Sequence, residues 1–323
     1  MKKYYQGIDF LRTLGCVGIV MMHMLSKDNN SYEINGIIFE KVIPSFTDFV
    51  FLFMVVSAFG LCCAYYDKVL SGEIDFTKFY KRRYLKILPF FSVLVILDLV
   101  MGFSKEALCE AFADVTLLYG LFPNNISVIG VGWFLGVIFA FYLIFPFYCV
   151  LISSKKRAWI AFGIALLLNL VGSGYFKLDR TNIVYSLCYF IAGGLVYLYK
   201  DKLEIMKWYV SVPVLVVSLV IYYVGIQNAA LLVSAAFMVV AIGQIGGAIQ
   251  NKVFHFISGI SMEIYLSHMV VFRVIEKVHL NAFVTNDVIQ YFLTVIFVLC
   301  GAIAFSYIMQ RLINKGLVKI GLV

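Results

Sequence analysis

The chain has 323 residues, 63% of them apolar and only 14% charged, with a mean hydropathy of +0.95 and a formal net charge of +8. An apolar fraction this far above the usual half excludes an ordinary soluble domain and a disordered chain. The 26 lysines and arginines lie between apolar runs, not in a basic stretch interleaved with polar and aromatic residues, which excludes a nucleic-acid-binding surface and makes the charge a record of membrane topology.

Apolar runs of about 17 to 25 residues span a bilayer as helices. The first, roughly 8–26, sits in "GIDFLRTLGCVGIVMMHM" and holds Asp9, Arg12 and His23, where a lipid-facing span would be apolar throughout. Lys2 and Lys3 ahead of it imitate a signal peptide, but Asp9 and Arg12 interrupt the run and no small-x-small site follows, so it is expected to be retained. Arg12 near the mouth can snorkel; a histidine three turns deeper must face protein or water. At 100° per residue, the eleven-residue spacing places Arg12 and His23 on one stripe roughly 16 Å apart. Asp9, one turn before Arg12, is positioned to pair with it.

The second span, roughly 44–66, contains Ser57. The stretch "FTKFYKRRYLKILPFF", 76–91, then leads into a third span at 86–103, which Asp98 interrupts. Its cations serve either as a positive-inside anchor or as a phosphate-binding mouth. The longest connection, 104–130, includes an apolar segment at 107–122 that is expected to lie on or dip into the membrane. Spans follow at roughly 131–152, 157–173, 183–199, 209–226 and 229–248.

The ninth span, 255–275, carries "SGISMEIYLSHMVVF", in which Ser261, Tyr265 and His268 share one helix face while Glu263 points elsewhere. A carboxylate, a phenol and an imidazole this close together are costly in a membrane helix unless they are paired or used. The tenth span is 287–310.

The count predicts an all-α integral membrane protein: one bundle of about ten transmembrane helices across 1–323, with both termini cytoplasmic and no separate soluble domain. With that orientation, 19 of the 26 cations fall on the inner side, as the positive-inside rule requires. The outer side keeps Lys27, Lys41, Lys105, Lys177, Arg180, Arg273 and Lys277. The seven cysteines have no metal-ligand spacing, and neither a metal site nor a disulfide is expected.

These stretches together resemble the acyltransferase-3 family, integral-membrane acyltransferases that commonly O-acetylate bacterial surface glycans, and the resemblance covers nearly the whole chain. Gly7, Ile8, Asp9, Arg12 and His23 match that family's opening motif and its Arg-x10-His spacing. Ser57, Ala58 and Phe59 match a Ser-Gly-Phe segment with alanine for glycine, and Phe79, Arg82, Arg83, Lys86, Ile87 and Pro89 match a basic segment in which Lys86 replaces an arginine. "WFLGVIFAFYLIFP" and "IYLSH" are similar to two further family blocks, whereas Phe51 and Asp48 depart from a Gly-Val-Asp pattern.

The resemblance implies transfer of an acyl group, most simply acetyl, from acyl-CoA at the cytoplasmic face of a bacterial membrane to a hydroxyl of a carbohydrate or lipid-linked glycan. Arg82, Arg83 and Lys86 would hold the nucleotide end of CoA, with Arg12 nearer its pantetheine or pyrophosphate, Asp9 beside Arg12, and membrane lipid around the bundle. His23 is the expected base or nucleophile. His268 is a second candidate base, Glu263 or Tyr265 would orient the imidazole or stabilise the oxyanion, and Ser57 would donate to the same site. This picture requires a continuous polar shaft from Arg12 to His23. The alternatives are a transporter of a sugar, lipid or small anion, since buried Arg, His and Glu also mark transport paths, and a membrane sensor without turnover.

Overall fold

The computed structural model describes residues 3–26, 30, 32–117, 130–226, 229–249 and 251–322. Among them every regular element is helical. The physical reason is that hydrocarbon offers no hydrogen-bond partner, so each backbone N–H and C=O must be satisfied within its own segment. The principal helices are α1 (Gln6–Leu25), α2 (Phe49–Leu70), α3 (Phe76–Met101), α4 (Lys105–Thr116), α5 (Trp133–Leu151), α6 (Lys155–Gly174), α7 (Ile183–Leu198), α8 (Trp208–Tyr223), α9 (Ala229–Ile242), α10 (Lys252–Gly259), α11 (Ser261–Lys277) and α12 (Asp287–Lys319).

Short polar side chains mark where several helices begin. Asp75, Ser104 and Ser154 each accept from the backbone N–H three residues on, at the starts of α3, α4 and α6. Asn286 caps α12 in the same manner, and Asn251 caps α10 by accepting from the N–H two residues on. Such caps satisfy first-turn donors that have no partner inside the helix.

Five helical stretches are long and apolar enough to cross a membrane: Gln6–Leu25, Ile38–Leu70, Gly130–Leu151, Lys155–Gly174 and Asp287–Lys319. Three further apolar helices, α7, α8 and α9, have 14 to 16 residues. At 1.5 Å per residue they reach only ~21 to 24 Å, short of a hydrocarbon core of about 30 Å. The remaining two predicted spans are altered. The third is the apolar end of α3, whose first turns are the basic stretch itself.

The ninth is not one helix: the chain breaks at Ile260 (φ −118°, ψ 13°), dividing it into α10 and α11. The eighth likewise stops at Ile242, with Gly243 extended before a short second helix, Gln244–Ala248. Both breaks fall on small or polar residues, Ser258, Gly259 and Ser261 in the ninth and Gly243 and Gln244 in the eighth, but the flanking apolar residues keep the average high enough to read as one span. The segment predicted to skim the membrane is helical as α4 as far as Thr116, and residues 118–122 lie outside the described ones.

Helix α1 runs through the middle of the bundle, packed against α2, α9, α10, α11 and α12. Small residues allow this. A methyl group added at Gly7 would lie 2.2 Å from the backbone oxygen of Ala241, so α1 and α9 touch backbone to backbone. Centrality gives the polar side chains of α1 protein neighbours instead of lipid.

Candidate functional site

Two cavities lie along α1. The first, about 110 Å³, is lined by Arg12, Ser57, Arg83, Lys86, Tyr142, Glu263 and Tyr265, with Ser258 and Gly259 from the end of α10. The helix break therefore opens directly onto it. The Arg12 guanidinium passes over Gly60, where an added methyl would come within 3.7 Å of Nη2. Arg83 is held by an aromatic cradle, 5.4 Å from the Tyr65 ring, 5.8 Å from Phe79 and 5.7 Å from Tyr142, and its Nη2 donates to the Tyr65 hydroxyl at 3.3 Å. Its buried Nε has no hydrogen-bond partner among the described residues.

Lys86 stands within electrostatic reach of Arg12, Arg83 and Glu263. Glu263, 3% exposed, accepts from Gln310 Nε2 at 3.1 Å through Oε1, while Oε2 is unbonded among the described residues. Ser57 Oγ lies 3.0 Å from the Tyr142 hydroxyl. Three cations thus face one small cavity against a single carboxylate. Like charges facing one pocket are costly to hold together, and the arrangement is able to accept an anion.

The second cavity, about 420 Å³, is lined by His23, Thr47, Asp98, Trp133, Tyr265, Arg180 and Arg273. Behind His23 stands His268, 0% exposed, with ring centroids 5.1 Å apart. His268 Nδ1 lies 2.6 Å from the Tyr265 carbonyl oxygen. A carbonyl only accepts, so Nδ1 carries the proton; in the neutral ring Nε2 is then a lone pair, and it has no partner among the described residues.

Tyr265 lines both cavities and donates its hydroxyl to the Val131 carbonyl at 2.9 Å. Phe134 and Phe53 stand beside its ring, at centroid distances of 5.6 and 6.3 Å. The continuous polar shaft expected between Arg12 and His23 is therefore interrupted: an aromatic partition separates two chambers. The sequence misses it because Phe53 and Phe134 belong to apolar spans and look like ordinary core.

Two further expectations are corrected, and Arg82 is placed apart from the other two cations of its segment. Asp9 does not pair with Arg12; it accepts from the Tyr4 hydroxyl and lies 3.0 Å from His255 Nδ1, on the rim of another cavity with Asn251 and Lys252. Glu263 joins the Arg12 chamber beside Lys86 and not the His23 imidazole. Arg82, adjacent to Arg83, is exposed and does not line the chamber, because successive residues on a helix point about 100° apart.

Arg12, Arg83, Lys86, Ser57, Glu263 and Tyr265 are brought together around the first chamber, and His23 and His268 around the second. Sequence reasoning passed over Tyr65, Tyr142, Trp133 and Arg180. For Arg180 a signal existed: it is one of two arginines on the cation-poor side of the predicted topology. Among the described residues no group of three or more His, Cys, Asp or Glu side chains is placed to hold a metal ion.

Comparison with known proteins bears on what these chambers do. The family model described as an acyltransferase domain, Acyl_transf_3, matches residues 5–311. No curated protein and no solved structure matches the chain.

Proposed function

The chain belongs to the acyltransferase-3 family, and we propose that this multi-pass membrane acyltransferase takes an acyl group, acetyl in the simplest case, from acyl-CoA in the Arg12 chamber. It delivers that group to a carbohydrate or lipid-linked hydroxyl in the His23 chamber. In this reading ten spans place both termini in the cytoplasm of a bacterial cell, with the Arg12 chamber inward and the His23 chamber outward. The observation that carries the proposal is the division of labour along α1: three cations against one carboxylate at one end, neighbouring imidazoles at the other, and one tyrosine ring between them.

Arg83, Lys86 and Arg12 receive the phosphates and the negative charge near the thioester, since a guanidinium offers several donors to phosphate oxygens. Arg83 is suited to this because its aromatic cradle fixes the guanidinium without neutralising it. The exposed Arg82 serves the mouth. The thioester reaches the second chamber as the Tyr265 ring moves aside.

His23 then removes the acceptor's hydroxyl proton, and the oxygen attacks the thioester carbonyl carbon. As the carbon–sulfur bond breaks, the CoA thiolate leaves and takes the proton back from the imidazolium. His268 backs the His23 ring. Within this scheme Glu263 balances the charge of Lys86, Ser57 and Tyr142 border the path of the acyl chain, and Asp9 ties α1 to α10 through His255.

The deciding experiment supplies purified protein in lipid vesicles with acetyl-CoA carrying a labelled acetyl group. Release of free CoA together with labelled carbohydrate, lost in His23→Ala, is the expected result. Flux of a sugar or anion across the vesicle without CoA consumption would overturn it in favour of transport.

A further inference from the structure

We propose that the His23 chamber contains a binding site for an anionic oxygen group, a carboxylate or a phosphate, anchored by Arg180, so that the acceptor is a negatively charged sugar. This rests on reading the chamber as the acceptor's side. Its volume, about 420 Å³, suits a sugar residue with its substituent.

The charge balance of its walls carries the inference. Two guanidinium groups line the chamber. Arg273 is ion-paired with Asp98 on the same wall, which cancels its charge. The contacts of Arg180 are neutral: it donates to Thr47 Oγ1 and lies over the Trp133 ring at 5.4 Å from the centroid. Among the described residues no carboxylate forms an ion pair with it.

The two acids nearest in the adjoining cavity are engaged elsewhere. Asp48, within electrostatic reach of Arg180, accepts from the Tyr222 hydroxyl at 2.7 Å, and Asp179 accepts from the Thr181 N–H and hydroxyl at 2.9 and 2.6 Å; both keep their charge, but they line the neighbouring cavity and not this chamber. The chamber's own lining therefore holds two guanidinium groups against one carboxylate, and Arg180 is the one without an ion pair among the described residues.

The site is also fixed in place. The turn that carries Arg180 is closed by those Asp179 bonds and by Ser186 Oγ donating to the Arg180 carbonyl at 3.3 Å. With the guanidinium face resting on indole and one donor given to Thr47, the remaining N–H edges stay available to a planar or tetrahedral oxyanion. A neutral sugar hydroxyl could accept from these edges too, but only an anionic oxygen gains the charge-assisted bond. Both arginines among the seven cations on the predicted outer side line this one chamber, whereas topology would favour having none there.

The test is equilibrium binding, by calorimetry on the full chain in detergent micelles, of glucuronate, glucose 1-phosphate and glucose. Both anions are expected to bind at least about tenfold more tightly than glucose, with a preference that falls as salt is raised. Arg180→Gln should abolish the preference, and Lys177→Gln, which removes a charge from the same loop, should keep it. Equal binding of all three sugars, or equal loss in the two variants, would overturn the proposal.

Tighter binding of one anion assigns the group as phosphate or carboxylate. Should Arg180→Gln fail to fold, the comparison of the three sugars on the unaltered protein still decides. No acyl donor is present, so anion selectivity without acetyl-CoA turnover would retain the site and remove the acyltransferase reading, and turnover without selectivity would do the reverse.

Discussion

The imidazole rings of His23, on α1, and His268, on the helix after the break, stand with centroids 5.1 Å apart, the first facing a chamber and the second wholly enclosed. Nothing local links them. The pairing follows from α1 packing against α11 at the level where both turn the same way.

Replacing His23 with alanine should lower acyl transfer by about 10² to 10⁴-fold, the usual worth of an acid–base group, while the protein still melts cooperatively in detergent. Acid-quenched samples analysed by mass spectrometry check the chemistry. The direct transfer described above leaves no acyl group on His23, and an acylated peptide would make it the nucleophile instead.

His268→Leu separates function from folding. His268 Nε2 is buried with no partner among the described residues, so removing it relieves an unsatisfied polar atom and should leave the melting temperature nearly unchanged. Acyl transfer should fall at least about tenfold if the ring supports His23. A large drop in melting temperature with normal turnover in the folded fraction would make its role structural.

For the Arg12 chamber, Arg83→Gln and Lys86→Met should each raise KM for acyl-CoA by about tenfold or more, the value of a charge-assisted contact with phosphate. Arg82→Gln should do much less, since Arg82 does not line the chamber. Initial rates at varied acetyl-CoA, with dephospho-CoA derivatives for comparison, distinguish the three positions.

Tyr265→Ala removes the wall that the chambers share. Water from the second chamber should then reach the thioester, so that acetyl-CoA hydrolysis without acceptor rises while productive transfer falls. Tyr265→Phe keeps the ring and loses only the bond to the Val131 carbonyl, and it should stay close to the unaltered protein in hydrolysis. Thiol release measured with and without acceptor reads both effects.

Stability has its own test at Gly193 on α7. A methyl there would lie 2.4 Å from the Val55 backbone oxygen and 2.6 Å from the Ala58 side chain, so α2 and α7 would have to separate. Gly193→Ala should cost about 1 to 3 kcal/mol, seen as a lower melting temperature in detergent. Gly163→Ala, where nothing lies within 4 Å, is the matching control.

Much was legible beforehand. Hydropathy located helix in each of the ten predicted segments, because the energy of burying apolar side chains depends mainly on local composition. Arg12 and His23 stood out by their cost in an apolar run, and their common stripe follows from helix geometry. The break at Ile260 did have a local signal, Ser258 and Gly259 before it and Ser261 after it, but the apolar residues on either side average into one span.

Which polar groups meet is another matter, since contacts between helices depend on how distant segments pack in three dimensions. One-dimensional spacing suggested Asp9 with Arg12, and the family resemblance suggested Glu263 with the imidazole. In the folded chain Asp9 goes to Tyr4 and His255, and Glu263 to Gln310 and the surroundings of Lys86. Composition and periodicity established a helical membrane bundle with costly polar groups inside it. The chambers, their aromatic partition and the placement of Arg180 without an ion pair arose only when the helices closed on one another, because each is a property of facing surfaces and not of any single segment.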